Sequence, residues 1–157
     1  AFLEVSMADR IMVGIDYVPS ALSSDTIETA KSDMGVGANS QTTVENKVQV
    51  DFEDMTTFYA GLMVTENLYV KAGIVQVDVI TNEVLGTGSK YNNGDLDGTM
   101  YGIGYHTEFG NGMFARFEGT VMDMGGQKLT STTNSDNTVE LKDVVGATGK
   151  ISIGKSF

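Results

Sequence analysis

Few side chains in this sequence have the type and spacing that catalysis requires. His106 is the only histidine, and Glu108 lies on the same side of an alternating segment. Such a pair suggests a general base, but no serine or carboxylate is placed by the sequence to form a triad with it. The absence of cysteine also excludes a thiolate metal site. We therefore expect no catalysis and no cofactor, and we interpret His106 as a hydrogen-bonding residue.

The segment NGDLDG, residues 93–98, imitates the opening of a calcium-binding loop. The twelfth position of such a loop carries a bidentate glutamate, whereas here that position is Gly104, inside an alternating segment. We interpret residues 93–98 as an acidic turn and predict no dedicated metal site. Adventitious binding of divalent cations at an outer surface is the alternative.

Charged residues recur on the polar side of the alternating segments. We predict that seven of them form a network of ion pairs inside a curled sheet: Glu4, Asp16, Lys71, Glu108, Arg116, Glu118 and Lys150. A lone buried charge is far costlier than a paired one, so acids and bases enclosed together should pair. We favour a filled, structural interior; a gated pore or a proton path is the functional alternative.

Alternation of apolar and polar residues, the signature of a half-exposed strand, places these side chains. It predicts seven strands: 1–7, 10–18, 46–64, 68–79, 99–109, 113–121 and a closing strand that begins near Val139. Pro19 should end the second strand, because proline cannot donate to a ladder. In the fourth strand the apolar parity flips at Val75, which indicates a bulge or an emergence from lipid.

The predicted connections alternate in length. Three are short, at residues 8–9, 65–67 and 110–112, and three are long and polar, at residues 19–43, 81–98 and 123–137. A short helix over Thr26–Met34 is an alternative within the first long loop. A soluble up-and-down barrel has no reason to sort its connections in this way, whereas outer-membrane barrels have short periplasmic turns and long extracellular loops.

The last strand carries a family-like motif. In ATGKISIGKSF, residues 147–157, Ile151, Ile153 and the terminal Phe157 share one parity. This resembles the C-terminal signature of bacterial outer-membrane β-barrel proteins, in which Lys155 would usually be aromatic or aliphatic. The resemblance implies that Ile151, Ile153 and Phe157 form the insertion signal read by the barrel insertion machinery. It also implies an all-β fold, a transmembrane antiparallel up-and-down barrel of about eight strands.

Composition sets further bounds. A chain of 157 residues is one domain, and a net charge of −11 with ten basic residues argues against binding to nucleic acid. If Phe157 lies at the periplasmic end, counting strand directions places Ala1 on the extracellular side. A secreted barrel should start in the periplasm with an even number of strands, so residues 1–157 are expected to form one barrel domain that lacks its first strand.

The functional expectation is a protein of the bacterial cell outer membrane with a structural or surface-exposed role. Its expected partners are the lipid bilayer and the insertion machinery, and a monomer is favoured. The first alternative is a narrow, porin-like channel for small or apolar solutes. The second is a soluble ligand-binding barrel, in which the apolar side of each strand would point inward.

Overall fold

The computed structural model describes residues 1–156, except for the side chains of Ala8 and Ala21. It consists almost entirely of β-strands, joined in one place by a 3-10 turn at Gly110–Gly112. In chain order the strands are β1 (Phe2–Ala8), β2 (Ile11–Ser23), β3 (Ile27–Met34), β4 (Gln41–Met63), β5 (Leu68–Leu85), β6 (Gly94–Glu108), β7 (Met113–Met124), β8 (Gln127–Thr130), β9 (Thr138–Leu141) and β10 (Val144–Lys155). Among residues 1–156, no helix is long and apolar enough to cross a membrane.

One antiparallel sheet organises the chain. Its strands follow the order β1-β2-β4-β5-β6-β7-β10, β3 pairs with the far part of β4, and β8 and β9 form a separate hairpin. The predicted all-β, antiparallel up-and-down fold is therefore confirmed. We call the end of the sheet with the short connections the turn end, and the opposite end the loop end.

The sheet is curled, and its two outermost strands approach each other. The ring of Phe2 on β1 lies 6.2 Å from the ring of Phe114 on β7, although four strands separate β1 from β7 in the sheet. Such a contact requires the inner faces of distant strands to meet across an interior. Among the described residues no pairing joins β1 to β10, so the sheet is curled but not closed.

The first predicted loop, residues 19–43, is mostly strand. The chain continues through Pro19 to the end of β2, and β3 occupies the span of the alternative helix Thr26–Met34, so both predictions were wrong. Pro19 is tolerated because β1 begins with Ala1 paired to Tyr17, leaving β2 beyond that point with a partner on one side only. An edge position of this kind loses no ladder bond to a proline.

Strand β5 corrects the bulge predicted at Val75, which was one of two interpretations of the parity flip; the other, emergence from lipid, stays a prediction. Its register with β6 runs unbroken from Leu68 opposite Tyr105 to Val79 opposite Gly94, so no bulge interrupts β5 at Val75. Val75, Val77 and Val79 continue the inner side of the strand and are each 2% exposed. The parity flip therefore marks a change inside the sheet: its inner face is charged towards the turn end and apolar towards the loop end.

The remaining long connections are shorter than the sequence predicted. β5 extends to Leu85 and β6 begins at Gly94, which leaves residues 86–93 between them. The third predicted loop contains the hairpin of β8 and β9. Beyond the loop end, β3 and the adjoining parts of β4 and β5 (residues 41–50 and 80–85) form a three-stranded projection, which we call the outer arm.

Candidate functional site

The inner face near the turn end carries a network of polar side chains drawn from every strand of the main sheet path. We call it the interior network. Its members are Glu4 on β1, Asp16 on β2, Tyr59 on β4, Tyr69 and Lys71 on β5, His106 on β6, Arg116 and Glu118 on β7, and Lys150 on β10. Alternation along each strand places these side chains on one side, and the curl of the sheet brings them together.

Arg116 connects the first and sixth strands of the sheet path. Its Nη1 and Nη2 atoms donate to the two carboxylate oxygens of Glu4 at 2.7 and 2.5 Å, and its Nε donates to Nδ1 of His106 at 3.1 Å. Tyr59 donates its hydroxyl to the same Glu4 at 2.9 Å. A bidentate pair of this kind fixes orientation as well as charge, so it holds β1 against β7 across the interior.

Glu118 is the centre of the second half of the network. Its Oε1 atom accepts from Lys71 Nζ at 2.6 Å and from the Tyr69 hydroxyl at 2.8 Å. Its Oε2 atom lies 3.0 Å from Lys150 Nζ, which also donates to Asp16 on β2. The side chains of Lys71 and Glu118 are only 2% and 3% exposed, so each requires the charge of the other.

The charges in the interior network balance. Three carboxylates (Glu4, Asp16, Glu118) face three cations (Lys71, Arg116, Lys150), and each of these six charges has an opposite charge in direct contact. Aromatic rings line the remaining sides: Arg116 Cζ lies 5.0 Å from the Phe114 ring centroid. No cation or carboxylate of the six is left to act on a substrate, so the arrangement is suited to holding strands together.

Glycines on neighbouring strands make room for the large inner side chains. Tyr69 lies directly opposite Gly104 in the register, and a Cβ built on Gly104 would come within 2.2 Å of the Tyr69 ring. Phe114 lies opposite Gly154 in the same way, with a Cβ distance of 2.3 Å. These aromatic–glycine pairs explain why the polar parity of the sequence contains so many glycines.

The structure brings together six of the seven charged residues predicted to face the interior. Glu108 is the exception, because its side chain is 70% exposed and its one polar partner among residues 1–156 is His106, at 3.4 Å. Ile151 and Ile153 of the predicted insertion signal lie on the outer face, 74% and 73% exposed. Phe157, the third residue of that signal, lies outside the described residues.

Sequence reasoning missed the hydroxyls of Tyr59 and Tyr69. Both lie on the polar parity of their strands, and each faces a glycine on an adjacent strand, Gly14 and Gly104 respectively. An aromatic residue on the polar parity, with glycines at matching positions of a neighbouring strand, is the signal that would have found them.

The segment that imitates a calcium loop is not an acidic turn. Gly94–Gly98 opens strand β6, where Asp95 lies opposite Asp78 and Asp97 opposite Gln76. Asp95 and Asp97 are two residues apart and share one face of the strand, but an extended strand does not wrap backbone and side-chain oxygens around one ion as a calcium-binding loop does. Within residues 1–156 there is no group of three or more His, Asp or Glu residues that could hold a metal.

The interior towards the loop end is apolar. Val77, Met100, Met122 and Met124 pack there as part of one hydrophobic cluster with Val75, Val79 and Leu96. Beside this cluster lies a cavity of about 510 Å³, which extends from the inner side of β2 to the edge of β10. The inner face is thus apolar towards the loop end and is occupied by the charge-balanced interior network towards the turn end.

The outer face has the opposite character. Along the main sheet path it presents large apolar side chains that are between 38% and 74% exposed: Leu3, Val5, Met7, Ile11, Tyr17, Phe58, Leu62, Val64, Val70, Ile74, Tyr101, Ile103, Tyr105, Met113, Phe117, Val121, Val145, Ile151 and Ile153. We call this surface the outer band. Along β4 and the residue that follows it, the outer band covers Thr56, Phe58, Ala60, Leu62 and Val64, a stretch that contains no charged outward residue.

Comparison with known proteins gave no match. No protein-family model matches the sequence, and neither a curated protein nor a solved structure resembles the chain significantly.

Proposed function

We propose that this chain forms a transmembrane β-barrel of the bacterial outer membrane, with a structural or surface-exposed role and no catalytic activity. The observation that carries the proposal is the outer band: apolar side chains without charge outside, and paired charges inside. A soluble ligand-binding barrel would have the reverse arrangement, with its apolar parity inward and its charges in water.

The extent of the outer band supports a membrane as its partner. Monomeric soluble proteins rarely expose contiguous apolar patches larger than a few hundred Å², and larger ones mark interaction with membranes or other proteins. The band continues on each of the seven strands of the sheet path, from Leu3 on β1 to Ile153 on β10. A surface that surrounds the sheet on all of these strands matches a lipid environment better than a single protein partner.

The length of the band agrees with a bilayer. Along β4 and the residue that follows it, the band runs from Thr56 to Val64, and transmembrane strands need about 9–11 tilted residues. Charged residues return on the outer face beyond this stretch, with Asp97 and Asp123 at the loop end. Tyr17 and Tyr101 lie near that end and Phe109 near the other, as interfacial aromatic residues do in membrane barrels.

The surface-exposed part of the proposal rests on the outer arm. Ion pairs on its surface include Lys47 with Glu28 at 2.6 Å and Lys31 with Asp33 at 2.8 Å. The hydrogen bond from Lys31 lowers the pKa of the Asp33 carboxyl. The arm is polar and water-facing, so we propose that it extends into the external medium while the short turns face the periplasm.

The alternative of a narrow channel finds less support. The interior network and its aromatic neighbours occupy the turn-end half of the interior, where the six charges are mutually paired. A solute would have to break these buried pairs, at a cost of several kcal/mol for each charge left alone. We therefore propose a filled barrel, and expect no steady ion conductance in planar bilayers.

Membrane fractionation tests the proposal. Cells that secrete the chain with an added export signal should retain it in the outer-membrane fraction after an alkaline wash, and detergent should be needed to extract it. The unheated protein should migrate faster on a gel than the boiled protein, because a folded barrel resists the denaturing detergent and stays compact. A folded monomer that stays in solution without detergent would contradict the membrane assignment.

A further inference from the structure

We propose that the gap between β1 and β10 binds one extended polypeptide strand, antiparallel to both edges, with a side-chain pattern that the inner face dictates. We call this gap the slot. It is a feature of the curled sheet whether or not the outer band meets lipid. No described residue pairs across it, although Lys150 Nζ of β10 lies 5.2 Å from the centroid of the Phe2 ring of β1 in the interior.

The strand directions require a single added strand. Every neighbouring pair in the sheet is antiparallel, and the path from β1 to β10 contains seven strands. β1 and β10 therefore run in the same direction, from the loop end to the turn end. Direct pairing between them would be parallel, whereas one strand running the opposite way is antiparallel to both.

The free backbone groups at the slot fit such a strand. Ser156 N–H donates to Gly112 C=O at the β7 side, so alternation leaves the odd-numbered residues of β10, such as Ala147 and Ile151, facing the slot. Tyr17 and Ala1 exchange both hydrogen bonds, so Glu4 and Ser6 of β1 face it from the other side. The backbone groups that face the slot belong to outward residues on β10, such as Ala147 and Ile151, and to inward residues on β1. In one added antiparallel strand, the N–H and C=O groups of outward residues would point to β10 and those of inward residues would point to β1, so a single strand can bond to both edges.

The cavity of about 510 Å³ adjoins the slot along the β10 edge towards the loop end, and its described lining includes residues of β2 and β10 but none of β1. Val18 and Leu22 of β2 line one side, consecutive residues of β10 from Val144 to Lys150 line the other, and Met122 and Met124 form the back. A small apolar ligand would leave the N–H and C=O groups along the β10 edge unpaired. A strand would pair them and also place side chains in the cavity, so we favour the strand as occupant.

The residues around the slot determine which side chains the added strand should carry on each face and at each end. Its outward side chains should be apolar, because the flanking residues Val145, Ile151 and Ile153 are apolar and exposed. Its inward side chains should be apolar towards the loop end, where they would contact Met122 and Met124. Towards the turn end they should be small or neutral, because the interior network is already balanced and an added charge would be unpaired.

A synthetic peptide provides the test. The probe copies Met113–Met124, the strand that pairs with the opposite edge of β10, with Arg116→Thr and Glu118→Thr in the peptide. The 157-residue chain is refolded in detergent, and amide hydrogen exchange is followed residue by residue with and without the probe. We expect exchange at Ala147, Gly149 and Ile151 to slow by about tenfold or more, together with exchange at Glu4 and Ser6.

A matched control removes only the edge donors. N-methylation of the peptide at the positions of Phe117, Gly119 and Val121 deletes the N–H groups aimed at β10, and it should abolish the protection. Unchanged exchange with the unmodified peptide would overturn the proposal, as would protection of both edges in the chain alone. The second result would mean that β1 and β10 pair directly or that two copies pair edge to edge.

A fusion keeps the proposal testable if the chain alone folds poorly. The same peptide sequence is joined ahead of Ala1 through a flexible linker, and a scrambled sequence of the same composition is the control. The patterned fusion should unfold at higher denaturant concentration than the scrambled one, and equal midpoints would overturn the proposal. Both fusions are compared in the same detergent and without a bilayer, so the difference between their midpoints does not depend on the membrane proposal.

Discussion

Arg116 on β7 binds both carboxylate oxygens of Glu4 on β1, at 2.7 and 2.5 Å, although the two residues are 112 positions apart in the chain. The pair spans the interior and does not join two strands that are neighbours in the sheet. Its side chains are 8% and 11% exposed, so the interaction is largely shielded from water. Strands β1 and β7 therefore depend on each other for the neutralisation of buried charge.

Replacing Arg116 tests this dependence. Arg116→Leu leaves Glu4 with the Tyr59 hydroxyl but without a cation, so we expect a loss of about 3–5 kcal/mol in the free energy of unfolding. Arg10→Leu, in the exposed turn between β1 and β2, is the matched control and should change stability by less than about 0.5 kcal/mol. Denaturant titration in detergent measures both; equal losses would show that Arg116 has no special partner.

Two glutamates on adjacent strands, one buried and one exposed, allow the contribution of the interior network to be compared with that of a surface ion pair. Among the described residues, Glu118→Gln removes the only carboxylate paired with Lys71 and one of the two paired with Lys150, so the free energy of unfolding should fall by several kcal/mol. Glu108→Gln should have almost no effect, because the Glu108 side chain is 70% exposed. Similar destabilisation by the two variants would contradict the placement of Glu118 at the network's centre.

The aromatic–glycine pairs predict a contrast between two similar substitutions. Gly104→Ala places a Cβ within 2.2 Å of the Tyr69 ring, so Tyr69 must move away from Glu118, and we expect a cost of about 1–3 kcal/mol. Gly119→Ala adds a methyl group with no heavy atom within 4 Å and should be neutral or slightly stabilising. Thermal unfolding midpoints distinguish them, and the reverse order would refute the packing described here.

Period-two alternation predicted much of this arrangement, because it assigns each residue to a face without further information. It placed Glu4, Arg116 and Glu118 on one side correctly. It could not show that the inner face becomes apolar at Val75. The sequence pattern shows that apolar residues change parity there, but it does not show whether the apolar side chains face the interior or the outside. It also ended β2 at Pro19, because the edge position that tolerates proline depends on where β1 begins in space.

The outer band predicts sensitivity to charge that depends on position along the strand. Ile103→Arg puts a cation in the middle of the band and should destabilise the membrane-inserted protein by about 2–4 kcal/mol. Val84→Arg adds the same charge in the outer arm, where Val84 is 71% exposed, and should have little effect. Folding yield into lipid vesicles is the measurement; equal yields for the two variants would indicate that the band lies in water.

Tryptophan fluorescence tests the central claim, that the outer band faces lipid, most directly. The chain has no tryptophan, so Ile74→Trp in the band and Val84→Trp in the outer arm each introduce a single reporter. In vesicles that contain lipids brominated along the acyl chain, the Ile74→Trp emission should be strongly quenched, and the Val84→Trp emission should respond only to aqueous iodide. Quenching of both reporters by iodide, with no effect of the brominated lipid on Ile74→Trp, would contradict the account.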